Sequence, residues 1–249
     1  MKINRRLFKP SFTMIELIIV IIIIGILAAS LNFQFFNSNL QLAADKIAND
    51  LRYTESLAFK DDKYQPFPNH ICDSSDEGKK ECNRSKYWFK QWWQFRIAKT
   101  RSGDYWYEIF SDSPTASTSS NFDKRGGPSS EFAKSPLNNR YMTGNDGAST
   151  DEDLNLSKYN IALITYKIGD MEKTISSSSS LRILFDNYGN VFLDEGEKGD
   201  SGDINPLDYQ KRPLLKKTLE IKLCQDSACN KCIGVFITPG AYVYEGKCK

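Results

Sequence analysis

Histidine is almost absent from this 249-residue sequence, which contains only His70. Catalysis by a histidine base and metal binding by histidine clusters are therefore disfavoured, because both need imidazole groups in defined sets. The sequence also lacks a nucleophile paired with a base, a glycine-rich phosphate loop and a pair of catalytic carboxylates. We therefore predict that the protein is not an enzyme, that it has no catalytic or metal-binding residues, and that it needs no cofactor.

Proline is missing between Pro10 and Pro66, so one helix from Phe12 to about Lys60 is permitted. Its first part, residues 12–31, is an apolar run that contains a single acid, Glu16. Twenty helical residues extend about 30 Å, close to the thickness of a bilayer's hydrocarbon core. The run therefore predicts a transmembrane helix. Basic residues before it would hold that end on the cytoplasmic side: Lys2, Arg5, Arg6 and Lys9.

A second helical pattern follows between Leu40 and Phe59. Apolar and small residues recur there at spacings of three and four, which is typical of an amphipathic helix with one buried face. The residues of that face are Leu40, Ala43, Ala44, Ile47, Leu51, Thr54 and Ala58.

The apolar run is open to three interpretations: an ordinary membrane anchor, a secretory signal peptide with small residues at 28–30, or a processed pilin-type segment. The sequence Ser11-Phe-Thr-Met-Ile-Glu-Leu17 resembles the processing site of type IV prepilins and type II secretion pseudopilins, although that family usually has glycine before the cut. The resemblance implies cleavage between Ser11 and Phe12 by a prepilin peptidase and methylation of Phe12. It also implies a role for Glu16 in subunit assembly.

Simple electrostatics agrees with that role for Glu16. Cleavage would leave an amine on Phe12, four residues from Glu16 and on the same helical face. In apolar surroundings the carboxylate of one subunit could pair with the amine of a neighbour, because an unpaired charge there is costly.

The remainder of the chain has strand-like stretches separated by turn residues, which predicts a β-rich domain. Residues 61–86 are a polar loop in this prediction, and residues 111–159 are a loop-like insertion. We expect strands at 93–98, 105–110, 160–168, 171–175, 181–185, 191–193, 218–223, 232–238 and 241–244. The element Ile183-Leu-Phe-Asp-x-x-Gly189 resembles the globular domain of H-type minor pseudopilins and related minor pilins.

Six cysteines in an exported chain predict disulfides. Cys72 and Cys82 could close the polar loop locally. A zinc site or a redox pair would also fit the spacing of Cys229 and Cys232, but we favour two structural bridges among the last four cysteines. Three pairings remain open for that set: Cys224, Cys229, Cys232 and Cys248.

Basic residues raise the possibility of nucleic-acid binding, although the chain as a whole is nearly neutral, with a formal charge of +2. The sharpest cluster consists of Lys211, Arg212, Lys216 and Lys217. Aromatic and basic residues also alternate over 92–101, where they could stack on single strands. We favour a hairpin with one face in the core and a solvated basic face.

An acidic loop at 194–208 could hold Ca²⁺ through its carboxylates, but its spacing does not fit the EF-hand template. An acidic, solvated loop is the commoner outcome, and we favour it.

The prediction as a whole is an α+β, pilin-like fold, with a long N-terminal helix (transmembrane in its first half) packed on a mostly antiparallel, β-rich domain. Its parts are a leader (1–11), an assembly helix (12–31), an amphipathic continuation (32–64) and a globular domain (65–249) with an insertion at about 111–159.

The resemblance implies a minor pseudopilin that assembles into a periplasmic pseudopilus of a type II secretion or competence-type system. A DNA-binding minor pilin for DNA uptake is the alternative. The implied partners are other pilin-like subunits, an inner-membrane assembly platform and the prepilin peptidase. The implied location is the inner membrane, with a single span and a periplasmic C-terminal domain.

Overall fold

The computed structural model describes residues 13–64, 74–86, 88, 91–111, 132–144, 151–194 and 214–248. The chain divides into two compact units, Met1–Asn39 and Leu40–Lys249.

Helix α1 spans Met14–Lys60. From Leu40 onward it belongs to the globular unit and turns one face into the core. Every residue of the predicted amphipathic face is buried, and Ala48 is buried beside them. The spacing prediction for this stretch is therefore confirmed.

A second helix, α2, spans Asp76–Lys86, where we predicted a loop. Ser75 caps it: its hydroxyl accepts a hydrogen bond from Gly78 N at 3.1 Å, and its carbonyl accepts one from Lys79 N at 3.0 Å. Two acids in the first turn, Asp76 and Glu77, favour the positive end of the helix dipole. Capping and charge thus stabilise helix α2. Its sequence has no regularly spaced hydrophobic residues from which a helix could have been predicted.

Nine strands in the described residues form two antiparallel sheets. The strands are β1 (Trp93–Lys99), β2 (Tyr105–Ser111), β3 (Leu163–Ile168), β4 (Met171–Thr174), β5 (Leu181–Phe185), β6 (Val191–Asp194), β7 (Leu219–Cys224), β8 (Cys232–Ile237) and β9 (Val243–Lys247). Each coincides with a predicted strand to within a few residues at its ends.

The first sheet has the strand order β2-β1-β5-β6. At its centre, Phe95 on β1 lies opposite Ile109 on β2 and Ile183 on β5. The turn between β1 and β2 includes Gly103 at a φ of +105°, a conformation that side chains rarely adopt. This confirms the predicted hairpin.

The second sheet has the order β4-β3-β7-β8-β9. Ile221 on β7 lies opposite Tyr166 on β3 and Val235 on β8, and all three belong to the core. One face of each sheet and the buried face of α1 thus share a single hydrophobic core.

Arginine 52 ties α1 to the edge of the second sheet. Its Nη2 donates to the carbonyl of Val243 at 2.7 Å and lies 3.3 Å from Oε1 of Glu245, both on the edge strand β9. An unpaired carbonyl on a sheet edge can form hydrogen bonds with a strand of another chain. The Val243 carbonyl already accepts a hydrogen bond from Arg52.

Part of the predicted insertion is packed against β2. Ala133 N donates to Ile109 O and Ile109 N donates to Met142 O, both at 2.9 Å, and Gly144 N donates to Tyr107 O at 3.0 Å. Two short 3-10 helices, Glu152–Leu154 and Leu156–Tyr159, follow. Residues 132–144 therefore cover the outer edge of the first sheet; residues 112–131 and 145–150 lie outside the described part of the chain.

The predicted fold class is wrong. We expected an α+β, pilin-like protein organised by one long helix that is transmembrane in its first half. Instead, two antiparallel sheets supply most of the core of the unit Leu40–Lys249, to which the part of α1 from Leu40 onward contributes one face. The prediction gave the apolar run too much weight relative to the strands that follow it.

The predicted localisation depended on the same run and is also overturned. Within the residues that the structure describes, no helix is both long enough and apolar enough to cross a membrane, for which about 20 apolar residues are needed. A single-pass protein of the inner membrane with a periplasmic C-terminal domain is therefore not supported.

Candidate functional site

The N-terminal segment holds the residues predicted for processing and assembly. Ser11 and Phe12 lie outside the described residues, which begin at Thr13. Thr13 directly precedes the first residue of α1, and Glu16 lies in its first turn.

Thr13 and Glu16 form a reciprocal cap at the start of α1. The Thr13 backbone N donates to Glu16 Oε2 at 2.8 Å, and the Glu16 N donates to Thr13 Oγ1 at 3.3 Å. The Thr13 hydroxyl also donates to Glu16 Oε2 at 2.8 Å. This is a capping box, in which a threonine and a glutamate three residues later satisfy each other's backbone donors. The pattern Thr-x-x-Glu is visible in the sequence, but no cap was predicted from it.

The cap also favours the charged form of Glu16. Hydrogen bonds from the backbone and then from the side chain of Thr13 lower the pKa of this exposed carboxyl below its usual value. Glu16 is therefore an ionised group at neutral pH, held in a defined orientation.

Apolar side chains surround this carboxylate on every side of the helix. Between Met14 and Leu27 the large hydrophobic residues are 41 to 83% exposed. A helix that is apolar all round is normally buried by neighbouring structure, and an exposed apolar patch of this size marks an interaction site. The segment thus presents a wide apolar surface with one fixed negative charge near its start.

The cysteines of the C-terminal region form two bridges, Cys224–Cys229 and Cys232–Cys248. The prediction of two structural disulfides among these four residues is confirmed. Because Cys229 and Cys232 bond to different partners, their Cys-x-x-Cys spacing does not create a redox pair or a zinc ligand pair. Cys82 is also disulfide-bonded, and Cys72 lies outside the described residues.

The predicted DNA-contact cluster is only partly described. Lys211 and Arg212 fall outside the described residues, whereas Lys216 and Lys217 are exposed. The side chain of Lys217 lies beside Gly169 in the turn between β3 and β4. Only Lys216 and Lys217 of the four can therefore be placed, and both lie at the surface.

The aromatic and basic face of the first hairpin is occupied by internal contacts. Arg96 forms an ion pair with the fully buried Glu108 at 3.1 Å, and its guanidinium lies 5.7 Å from the ring centroid of Trp106. Arg96 Nε also donates to Ser180 Oγ at 3.3 Å. All of β2 is buried and Arg96 is mostly covered, so the expected solvated face is wrong for Arg96. Lys99 is half-buried and Arg101, in the turn, is exposed, so basic groups reach solvent only towards the turn.

Most of the predicted acidic loop, from residue 195 to 208, lies outside the described residues. Asp194 belongs to strand β6. In the described ranges, no group of three or more histidine, cysteine or acidic residues is placed to hold a metal ion.

Comparison with known proteins gave no match: neither a family model, nor a curated protein, nor a solved structure corresponds to this chain.

Proposed function

We propose that this protein is a minor, pilin-like structural subunit that polymerises through the segment Met14–Leu27 into the pseudopilus of a type II secretion or competence-type system. Its proposed partners are other pilin-like subunits, the assembly platform of that machine and a prepilin peptidase. No catalytic residue is proposed, because the subunit acts by assembling.

The observation that carries the proposal is the exposed apolar surface of α1 with a fixed carboxylate in its first turn. Packing this surface against the same surface of other subunits would remove apolar area from water, at roughly 25 cal/mol for each Å² buried. It would also remove water from Glu16. The loss of hydration makes a cationic partner necessary, because a buried charge without a partner is strongly destabilising.

The amine of Phe12 in a neighbouring subunit is the proposed partner of Glu16. Cleavage before Phe12 would create that amine one residue from the cap. Pairing between a carboxylate on one subunit and an amine on the next would fix their axial register, as polar groups in apolar interfaces do elsewhere.

The first experiment is mass spectrometry of the N-terminal peptide from the native protein. We expect a peptide that begins at Phe12 and carries one added methyl group. An uncut chain, or a chain that begins near Ser30, would refute the processing step and with it the amine partner of Glu16.

A matched pair of variants separates the charge of Glu16 from its capping role. Glu16→Gln keeps the capping hydrogen bonds, since glutamine also closes a capping box, but removes the charge. Thr13→Ala removes the hydroxyl's part of the cap, at a cost of about 1 kcal/mol, but keeps the charge and the backbone bond to Glu16. We expect Glu16→Gln to lower the assembled fraction, measured by sedimentation, more than tenfold, because an unpaired buried amine would cost about 3–5 kcal/mol.

Thr13→Ala should lower the assembled fraction much less, and Thr13→Ser should leave it near that of the wild type. Equal losses for Glu16→Gln and Thr13→Ala would mean that Glu16 acts through the cap. Normal assembly of Glu16→Gln would refute the pairing.

A further inference from the structure

Two cysteines face each other across strands β7 and β8 but are not bonded to one another. Cys224, the last residue of β7, is the register partner of Cys232, the first residue of β8. Cys224 is bonded instead to Cys229 in the turn between these strands. Cys232 is bonded to Cys248, which directly follows β9. One end of each disulfide therefore lies opposite one end of the other.

Backbone hydrogen bonds show that the facing pair occupies a close-contact site of the sheet. The next pair towards the turn is hydrogen-bonded, because Gln225 N donates to Lys231 O at 2.9 Å. The Cys224 carbonyl points away from β8 and accepts from Ala162 N, next to β3, at 2.9 Å. Since hydrogen-bonded and non-hydrogen-bonded pairs alternate along antiparallel strands, Cys224 and Cys232 form a non-hydrogen-bonded pair. Such pairs have Cα atoms about 4.5 Å apart and side chains on the same face.

That spacing is suitable for a disulfide between the two facing cysteines. Disulfides usually join residues whose Cα atoms are about 4.4–6.8 Å apart. The existing bridge from Cys232 to Cys248 spans a longer Cα distance, 6.0 Å. Cys232 therefore has a suitable partner on each neighbouring side, and the bridge from Cys224 to Cys229 keeps one of these partners occupied.

The bridge between Cys224 and Cys229 can be approached from one end only. Cys224 is fully buried, whereas Cys229 is half-buried and lies between the exposed residues Ala228 and Asn230. An external thiolate would therefore attack Sγ of Cys229 and displace Cys224. Because the leaving group is a thiolate, the form that attacks disulfides, Cys224 would be released in its reactive form opposite Cys232.

We propose that Cys229 is a site at which an external thiol forms a mixed disulfide, and that Cys224 then passes the exchange on and releases Cys248. In the first step the external sulfur bonds to Cys229 Sγ as the bond from Cys229 to Cys224 breaks. In the second step the Cys224 thiolate bonds to Cys232 Sγ as the bond from Cys232 to Cys248 breaks. Cys248 leaves as a thiolate and takes up the proton that the external thiol lost. Two disulfides are present before and after, so no oxidant or reductant is consumed.

Release of Cys248 would free the end of the edge strand β9. The bridge directly follows Lys247, the last residue of β9 that is paired with β8. Without the bridge, this end of the strand has no covalent link to its neighbour and should open locally more often. The same strand carries Val243 and Glu245, which Arg52 on α1 contacts. The exchange is independent of how the N-terminal segment assembles.

Trypsin distinguishes the two arrangements, because it cuts after Lys222, Lys231 and Lys247. The native arrangement gives peptide 223–231 with an internal bridge, and peptide 232–247 linked to the dipeptide 248–249. The exchanged arrangement links peptide 223–231 to peptide 232–247 and leaves a free thiol on Cys248. Free thiols are alkylated with iodoacetamide before digestion, and the peptides are mapped by mass spectrometry without reduction.

The variant Cys229→Ser frees Cys224 without any added thiol. In the full chain, dispersed in a mild non-ionic detergent, we expect the exchanged link and alkylation of Cys248. The matched control is Cys224→Ser, which leaves the free thiol on Cys229 in the turn and should keep Cys232 bonded to Cys248. An alkylated Cys224 beside the native link in Cys229→Ser would overturn the proposal. Exchange in both variants would overturn the special role of the facing pair.

If Cys229→Ser does not fold, the wild type treated with an equimolar amount of reduced glutathione decides. We expect glutathione on Cys229 and alkylation of Cys248 in the same molecules. Glutathione on Cys232 or Cys248, with the bridge from Cys224 to Cys229 intact, would overturn the entry site. Hydrogen exchange tests the release of the strand end: the amide of Gly246 should exchange about tenfold faster once Cys248 is free. An unchanged rate in the exchanged protein would overturn that release.

Discussion

On one face of the second sheet, a pair of glycines is covered by an aromatic ring. Gly234 on β8 lies opposite Gly246 on β9, and the ring of Phe236 covers both. Phe236 itself is stacked on Tyr244, with 4.9 Å between ring centroids. An aromatic ring that covers glycine replaces the side-chain packing that the strand would otherwise lack.

A methyl group at position 234 should therefore disturb this stack. A Cβ on Gly234 would lie 2.7 Å from the Phe236 ring. We expect Gly234→Ala to lower the free energy of unfolding by about 1–3 kcal/mol, because the ring must move. Gly240→Ala is the matched control, since a Cβ there meets nothing within 4 Å. Denaturant unfolding measures both, and equal stabilities would contradict the packing argument.

At the level of single residues, the sequence allowed some functional roles and contacts to be predicted but not others. Glu16 could be identified because an acid in an apolar run is exceptional. The Thr13 cap was readable but overlooked. The contact between Asp50 and Tyr107 could not be predicted, because residues 57 positions apart meet only once the helix lies against β2.

Among the elements, the C-terminal part of α1 contributes most to the core through its regular spacing. Leu51 is fully buried in the shared core, whereas Leu42 on the same helix is 55% exposed. We expect Leu51→Ala to cost about 2–5 kcal/mol of unfolding free energy, because it removes buried methyl groups and leaves a cavity. Leu42→Ala, the control, should change stability by less than about 0.5 kcal/mol. Chemical denaturation distinguishes the two, and a similar cost for both would contradict the assigned face.

Strands and the amphipathic helix were predictable because alternation and three-to-four spacing are local signals. Helix α2 gave no such signal, because its stability comes from Ser75 and two acids in its first turn. Strand order was not predictable, since β1 pairs with β5 across more than 80 residues of chain. The fold class and the location were predicted wrongly because the run 12–31 was the strongest single pattern in the sequence.

At the scale of the whole molecule, two disulfides hold the end of the chain. Cys232–Cys248 closes a span of 16 residues around β8 and β9, and Cys224–Cys229 closes a span of five. In the chain-entropy model the longer loop contributes about 3 kcal/mol and the shorter about 2 kcal/mol.

Replacing each pair of cysteines by serine should therefore lower the denaturant midpoint, and the loss should be greater for Cys232 and Cys248. The intact pair in each variant serves as the other's control. A greater loss for Cys224 and Cys229 would show that the bridges stabilise the native state by more than loop closure.

The bond between Arg52 and Val243 joins residues 191 positions apart in the chain. During synthesis the apolar face of α1 emerges from the ribosome long before β7, β8 and β9, which later help to cover it. The nascent chain must therefore keep that face from aggregating until its last residues are made, and contacts of such long range fold slowly. Translation of an mRNA truncated before β9 would yield a chain in which Arg52 on α1 lacks its partner on the edge strand. Such a chain would be bound by chaperones or degraded by proteases.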